Sequence, residues 1–277
     1  MFEVIEKEMI VPNLHLIRLS APEVVEQLKP GQFVIVRSHE DSERIPMSVA
    51  DWDTEEGTLT IIFMEVGVST GKLADLRAGD AIPTVVGPLG KPTEIENFGT
   101  AVCIGGCYGI GSIFPVIKGL KQSGNDVIAV LEARSSYLLY WEEKIKPFCK
   151  QLISITRDGS YGNKGHVGRI NEIMRESNIK PGRIFVNGCT FLLYRASEDF
   201  KHLNVPIIVN LNPIMIDGTG MCGVCRVTVD GEMKFACVDG PEFDGRLVDW
   251  EEFSKRRKQY VSEEAYLVHH AGCCGGL

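Results

Sequence analysis

The sequence predicts an antiparallel β-barrel, then an α/β domain with a parallel, Rossmann-like sheet, then a small cysteine-bearing lobe. Three observations carry this expectation. Short β-rich runs separated by turn residues fill the first hundred positions; a rhythm of strand, glycine turn and helix begins near Thr100; and the chain becomes glycine- and cysteine-rich after Pro206. The expected boundaries are 1–97 for the barrel, 98–205 for the α/β domain, 206–250 for the lobe and 251–277 for a C-terminal tail.

In the barrel segment the β-rich runs are 14–19, 33–37, 59–64 and 81–86, punctuated by Pro30-Gly31, Glu56-Gly57 and Gly79-Asp80. The turn-rich stretch 87–92 carries the chain out. Next come a strand at 101–106, a helix at 113–122, a strand at 126–132, an acidic helix around Trp141, a strand at 152–156, a helix at 169–177 and a strand at 183–187. Such βαβ alternation implies parallel strands joined by crossovers. Beyond Pro206, runs at 226–229 and 233–236 flank Asp230-Gly231, a tight hairpin turn, and 246–270 reads as a solvated helical tail.

At 277 residues the chain is long enough for about two cores. Hydrophobic content of 44% and charged content of 24% are those of an ordinary globular protein. A net charge of -8 argues against a nucleic-acid surface, which needs clustered Lys and Arg. The N-terminus has neither a basic start nor an apolar h-region, and no apolar run is long enough to span a membrane. A cytoplasmic protein without membrane contact is expected. In that reducing compartment nine cysteines read as ligands, packed thiols or redox groups, since an odd number cannot pair completely.

Three of those cysteines have a diagnostic spacing. Plant-type ferredoxins hold a [2Fe-2S] cluster with C-x4-C-x2-C and a distant fourth Cys. Here Asp217, Cys222, Cys225 and Cys237 read D-x4-C-x2-C-x11-C, with an Asp in the first position. Gly218, Gly220 and Gly223 permit the positive φ that a tight cage needs. The alternatives are a packed CxxC pair or a zinc site, but zinc favours symmetrical knuckles. Asp217 is either a ligand or a bystander, with water or another thiol completing the shell. A ligating carboxylate, harder than a thiolate, would tune the potential.

Other candidates lie upstream. Arg44, Pro46, Met47, Ser48 and Val49, at the end of a barrel strand, offer a diphosphate partner and a hydroxyl for a flavin ring. Gly67, Ser69 and Thr70 sit at an expected helix start, a seat for a pyrophosphate. Gly105, Gly106, Gly109 and Gly111 follow a strand and open a helix, where glycines let a dinucleotide approach the backbone. Glu132 and Arg134, near the next strand's end, suit the ribose hydroxyls of NAD and a 2′-phosphate respectively, so NAD(H) and NADP(H) both stay open. Asp158 closes a later strand on the same edge, and Gly188 with Cys189 stands where a nicotinamide would lie. No side chain emerges as a certain catalytic acid or base, and hydride transfer needs none.

Barrel, βαβ domain and cysteine lobe, with Arg44, Pro46 and Ser48 in the first and the Asp217–Cys237 spacing in the third, resemble the ferredoxin-NADP reductase superfamily. Within it the chain is similar to the group that holds the dihydroorotate dehydrogenase electron-transfer subunit and the small subunit of NADH-dependent reduced ferredoxin:NADP oxidoreductase, also called sulfide dehydrogenase. Asp217 matches the latter, since the dihydroorotate relatives keep Cys there. The resemblance implies FAD on the barrel, NAD(H) on the α/β domain, and a cluster relaying electrons to a large subunit that carries FAD and [4Fe-4S] clusters. It further implies electron bifurcation with ferredoxin as a partner of the complex. Alternatives are a subunit serving dihydroorotate dehydrogenase or a soluble hydrogenase, or a non-catalytic iron-sulfur sensor. The chain departs from the family pattern at Cys107-Tyr108 in the glycine turn, at Glu132 where Gly is usual, and at Asn187-Gly188-Cys189-Thr190. The terminal Cys273 and Cys274 read as an exposed tail or, with His269 and His270, as an interface contact.

Overall fold

The structure, a computed structural model, describes residues 1–270. Cys273, Cys274 and the side chains of His269 and His270 lie outside the described residues.

The first sheet contains β1 (Phe2–Val11), β2 (Leu14–Ser20), β3 (Phe33–Arg37), β4 (Ile45–Asp53), β5 (Thr58–Met64), β6 (Ala81–Ile82) and β7 (Thr84–Leu89), in the order β6-β1-β2-β5-β4-β3-β7. Its two edge strands, β6 and β7, are separated in sequence only by Pro83, so the sheet curls into a nearly closed antiparallel barrel. Alternation fills it: Ile17 and Leu19 of β2, Val34 and Val36 of β3, and Leu59, Ile61 and Phe63 of β5 point inward. The apolar run in β3 is continuous because both faces are covered. Phe33 and Ile35 point out of the barrel into a second core, which includes Cys225 and Cys237. Two short helices, α1 (Pro22–Val25) and α2 (Val68–Ala74), decorate the barrel.

The second sheet is parallel except at one edge. It is built from β8 (Thr100–Gly106), β9 (Asp126–Ala133), β10 (Gln151–Thr156), β11 (Asn163–Lys164), β12 (Arg183–Asn187), β13 (Ile207–Asn210) and β16 (Glu242–Asp244), ordered β11-β10-β9-β8-β12-β13-β16. Its helices are α3 (Gly109–Gln122), α4 (Glu142–Ile145), α5 (Arg169–Glu176) and α6 (Thr190–Phe200). The α/β rhythm is the expected one, and α6 is an added element. A two-stranded hairpin of β14 (Arg226–Val229) and β15 (Glu232–Phe235) turns at Asp230 and Gly231, both with positive φ. Helices α7 (Trp250–Arg257) and α8 (Val261–His270) end the described chain; α7 is no free tail, because Phe253 is fully buried.

Helix α3 joins the two layers. Ile110, Ile113, Phe114 and Ile117 share a core with Leu14, Leu16, Ala50 and Ile62 of the barrel. Lys118 of α3 and Lys144 of α4 both pair with Asp51 of β4, at 3.0 and 2.7 Å. On the other side, strands β13 and β16, which the sequence places in the third segment, hydrogen-bond into the second sheet.

Glu242, at the start of β16, accepts a hydrogen bond from Thr93 Oγ1 at 2.9 Å, and burial pushes its carboxyl up to about 7. A raised acid pKa makes the folded state bind a proton that the unfolded chain has already released. Stability should therefore fall as pH rises from the ordinary carboxyl range through 7. Glu242→Gln is expected to raise the melting temperature at pH 8 and leave it unchanged at pH 4; equal shifts at both values would refute this.

Candidate functional site

The cysteine segment lies between β13 and β16, against the outer face of the barrel. Gly218 and Gly220 have φ of 77° and 87°, which an L side chain rarely adopts. A Cβ on Gly218 would lie 2.9 Å from Leu89 Cδ1 and 3.0 Å from Ile35 Cγ1, so the loop sits directly on the barrel wall. Arg44 Nη2 donates to the Asp217 carbonyl at 3.3 Å, and its Nε is buried without a partner.

The four candidate ligands form two pairs. The Cys222 thiol donates to Asp217 Oδ1 at 3.0 Å, and Cys225 Sγ lies 3.1 Å from Cys237 Sγ. Among the described residues, no three His, Cys, Asp or Glu side chains converge as a single-ion site. A donor set split two and two suits a binuclear centre, in which each iron takes two protein ligands, better than mononuclear zinc. Hydrogen bonds from Cys222 and Thr219 hold the Asp217 carboxyl down at about 2. Burial, with Cys225 beside it, pushes the Cys237 thiol up to about 12. Such a thiol becomes a thiolate ligand when a cation's charge displaces its proton. Cys225 and Cys237 are each 2% exposed, whereas Cys222 is exposed beside Met221, itself 89% exposed.

The flavin candidates fall on β4 and α2. Arg44 precedes β4, so the motif opens a strand rather than ending one. Met47 and Val49 point into the barrel core and present only backbone outward, while Pro46 and Ser48 alternate to the other face. Ser69 donates to Glu43 Oε2 at 2.8 Å, next to Arg44 in sequence. Thr70 Oγ1 accepts from the Val66 and Gly67 amides at 3.0 Å each, so it is occupied with starting α2. The unpartnered Arg44 Nε at the head of the strand, with the Ser48 hydroxyl further along its outward face, fits a flavin diphosphate and ring.

At the second sheet the strand order reverses between β8 and β12, the switch point where open α/β sheets bind ligands at their carboxyl ends. Gly105 and Gly106 end β8, and Gly188 and Cys189 follow β12. The glycines are filled from within. A Cβ on Gly109 would lie 2.1 Å from Asn187 O, one on Gly106 2.6 Å from Leu192 Cδ2, and one on Gly111 2.7 Å from Ile62 Cδ1. Tyr140 Oη accepts from the Gly111 amide at 2.9 Å and donates to the Cys107 carbonyl at 3.0 Å, covering the start of α3. The turn's glycines thus serve the contact of helix, strand and barrel. Tyr108, which interrupts the glycine pattern, donates to Gly188 O at 2.9 Å and accepts from Asn212 Nδ2 at 2.7 Å. Thr190 Oγ1 donates to Asn212 Oδ1 at 3.0 Å. Sequence reasoning missed this network; the signal for it was the Tyr in a glycine motif.

Glu132 faces inward instead of toward a ribose. It is 3% exposed, and Arg157 Nε donates to its Oε1 at 3.0 Å. Arg134 is exposed on the neighbouring turn. Asp158 Oδ1 accepts from the amide and hydroxyl of Ser160, which hold its carboxyl at about 2.

Residues 212–249 match the family of the iron-sulfur cluster binding domain of dihydroorotate dehydrogenase B. The chain is 43% identical over 263 residues to a dihydroorotate dehydrogenase B (NAD(+)) electron transfer subunit homolog of Thermotoga maritima, covering 95% of this chain and 92% of that one. It is 30% identical to the electron transfer subunit of that enzyme from Bacillus caldolyticus, covering 87% and 94%. A chain in the structure of NADH-dependent reduced ferredoxin-NADP oxidoreductase, solved for insight into flavin-based electron bifurcation, superposes with a TM-score of 0.92 at 41% identity, covering 98% and 97%. A ferredoxin NADP+ reductase from Neisseria gonorrhoeae, solved with FAD and NADP, shares the fold at a TM-score of 0.61 and 14% identity, covering 74% and 91%.

Proposed function

The chain belongs to the family of dihydroorotate dehydrogenase B-type electron-transfer subunits within the ferredoxin-NADP reductase superfamily, and from this we propose that it is the FAD- and [2Fe-2S]-bearing subunit of a heteromeric NAD(P)H oxidoreductase, of the bifurcating ferredoxin:NADP type. The observation that carries this reading is the seating of the cysteine loop on the barrel, where Arg44 holds the Asp217 carbonyl and Ile35 and Leu89 wall Gly218. Strand β4 and the cysteine loop are therefore neighbours, which supports a relay between a flavin on the one and a cluster in the other.

When bound, FAD and the cluster would supply the conversion of a two-electron hydride step into single-electron steps. The protein's part is to hold and orient. Arg44 would ground the flavin diphosphate, and Ser48, facing out of β4, would meet the ring. Asp217 with Cys222 and Cys225 with Cys237 would each hold one iron. Ile216 and Val238, 52% and 44% exposed, lie with Met221 around the loop and would give an apolar rim for a large flavo-iron-sulfur partner.

Anaerobic titration of the complex purified with its partner tests this. NADH or NADPH is expected to bleach the flavin band and then the cluster band. No bleaching by either nucleotide would favour a sensor role instead. Arg44→Ala is expected to lower bound FAD about tenfold, the loss of a charge-assisted phosphate contact, with iron content retained. Unchanged flavin content would remove Arg44 from the site.

A further inference from the structure

Helix α7 reaches the cysteine loop from beyond residues 212–249, the stretch that matches the iron-sulfur family. Its own place is fixed largely by contacts outside that loop. Asp249 Oδ1 accepts from the Glu252 amide at 2.9 Å and starts the helix, Trp250 Nε1 donates to the Gly245 carbonyl at 2.9 Å, and the Trp250 ring meets that of Tyr194 on α6 at 5.8 Å. Phe253 enters the core that holds Cys225 and Cys237. Three residues on, hence on the same face of the helix, Arg256 Nη2 donates to the Val224 carbonyl at 3.0 Å. Arg226, at the start of β14, donates from Nη1 to the Gly223 carbonyl at 3.0 Å. Gly223 and Val224 are the two residues between Cys222 and Cys225, so both carbonyls inside the C-x2-C turn are held by guanidinium groups. Val224, Arg226 and Arg256 also line a cavity of about 140 Å³ behind the turn, with Pro213, Ile214 and Phe253, and no carboxylate faces it. Neither arginine has an ion-pair partner among the described residues.

Reduction adds a negative charge to an iron-sulfur centre, and the potential of such a centre follows the charges and hydrogen bonds around it. Cations at the turn therefore favour the reduced state, and a turn tied at both carbonyls keeps its two thiols at one spacing. We infer that Arg256 and Arg226 are positioning residues for the cluster, which clamp the turn between Cys222 and Cys225 and raise the midpoint potential. Arg256 carries more of the clamp. Arg226 acts within its own turn, three residues from its acceptor, whereas Arg256 ties the loop to a helix packed on α6. The potential of the electron relay thus depends on a segment that follows the cysteine lobe in the chain. The inference rests on the cluster reading above and names residues that tune it.

Anaerobic redox titration of the purified complex, followed by the electron paramagnetic resonance of the reduced centre and paired with iron and acid-labile sulfide content, tests it without turnover. Arg256→Gln is expected to keep its iron and to lower the midpoint by about 30 mV or more, a threefold change in a one-electron equilibrium. The double variant, Arg226→Gln with Arg256→Gln, should lower it by about 60 mV, a tenfold change. Arg256→Lys keeps the charge without the planar fork and should lie nearer to wild type than Arg256→Gln does. Arg226→Gln, on an exposed side chain, should shift the midpoint in the same direction and reads the effect of charge even where α7 is disturbed. A double variant within about 1.5-fold of the wild-type equilibrium, about 10 mV, overturns the inference. So does an Arg256→Lys midpoint equal to that of Arg256→Gln, or iron lost from Arg256→Gln and not restored by Arg256→Lys. Each of these leaves the cluster reading standing. A wild-type complex without iron and sulfide overturns both.

Discussion

Cys237→Ser is expected to strip the cysteine loop of its metal, with iron and acid-labile sulfide in anaerobically purified protein falling about tenfold or more. The loss should exceed that of one bond. Cys237 sits 3.1 Å from Cys225 with both nearly sealed from solvent, so a hydroxyl there is a poor ligand in an apolar cage and leaves Cys225 unmatched. The same core holds Phe33 and Ile35 of the barrel, and lower thermal stability should accompany the lost iron. Asp217→Cys supplies the contrast. It should retain iron and shift the midpoint potential on the order of 60 mV or more, a tenfold change in a one-electron equilibrium, because a soft thiolate replaces a hard carboxylate. An unchanged potential and spectrum would remove Asp217 from the ligand set; full iron occupancy in Cys237→Ser would remove Cys237.

Gly109→Ala should destabilise the protein by about 3 kcal/mol, at the upper end for overpacking, and lower the melting temperature by about 5 to 10 °C. The added methyl would sit 2.1 Å from Asn187 O and 2.6 Å from Gly188 Cα. Both are backbone atoms and cannot swing aside as a side chain would. Relief requires α3 to move away from β12, which disturbs its contact with Ala50 and Ile62 as well. A melting temperature within about 2 °C of wild type would show that the turn gives way more easily than the packing implies.

Much of the architecture was legible because it rests on local signals. Glycine turns after β-rich runs announce βαβ units, and Asp230-Gly231 announces its hairpin through the positive φ that both residues adopt. The spacing of the four residues proposed as ligands is local in the same sense: chelation by a tight loop would fix it in the chain. Strand β1 was harder to see, since its alternation includes exposed apolar residues such as Ile5 and Met9. Helix α6 was hidden because Gly188 and Cys189, which lead into it, read as the place of a nicotinamide rather than as a helix start. The glycines at 105–111 read as a phosphate approach, whereas the space they leave is taken by Asn187, Leu192 and Ile62, partners far along the chain or back in the barrel. Glu132 shows the same limit. Its place at a strand end was evident, but the direction of its carboxylate depended on Arg157, a residue just past the end of another strand.

The bond from Arg44 to the Asp217 carbonyl and the strand β16 at the edge of the second sheet together bear on modularity. A ferredoxin-like cassette that could be cut out and grafted elsewhere would close its own sheet and bury its own ligands. Here residues 206–250 give two strands to a neighbouring sheet and take the floor of the metal loop from the barrel, so the segment excised by itself would lack both. Wiring an electron path through this protein therefore means transplanting the whole chain.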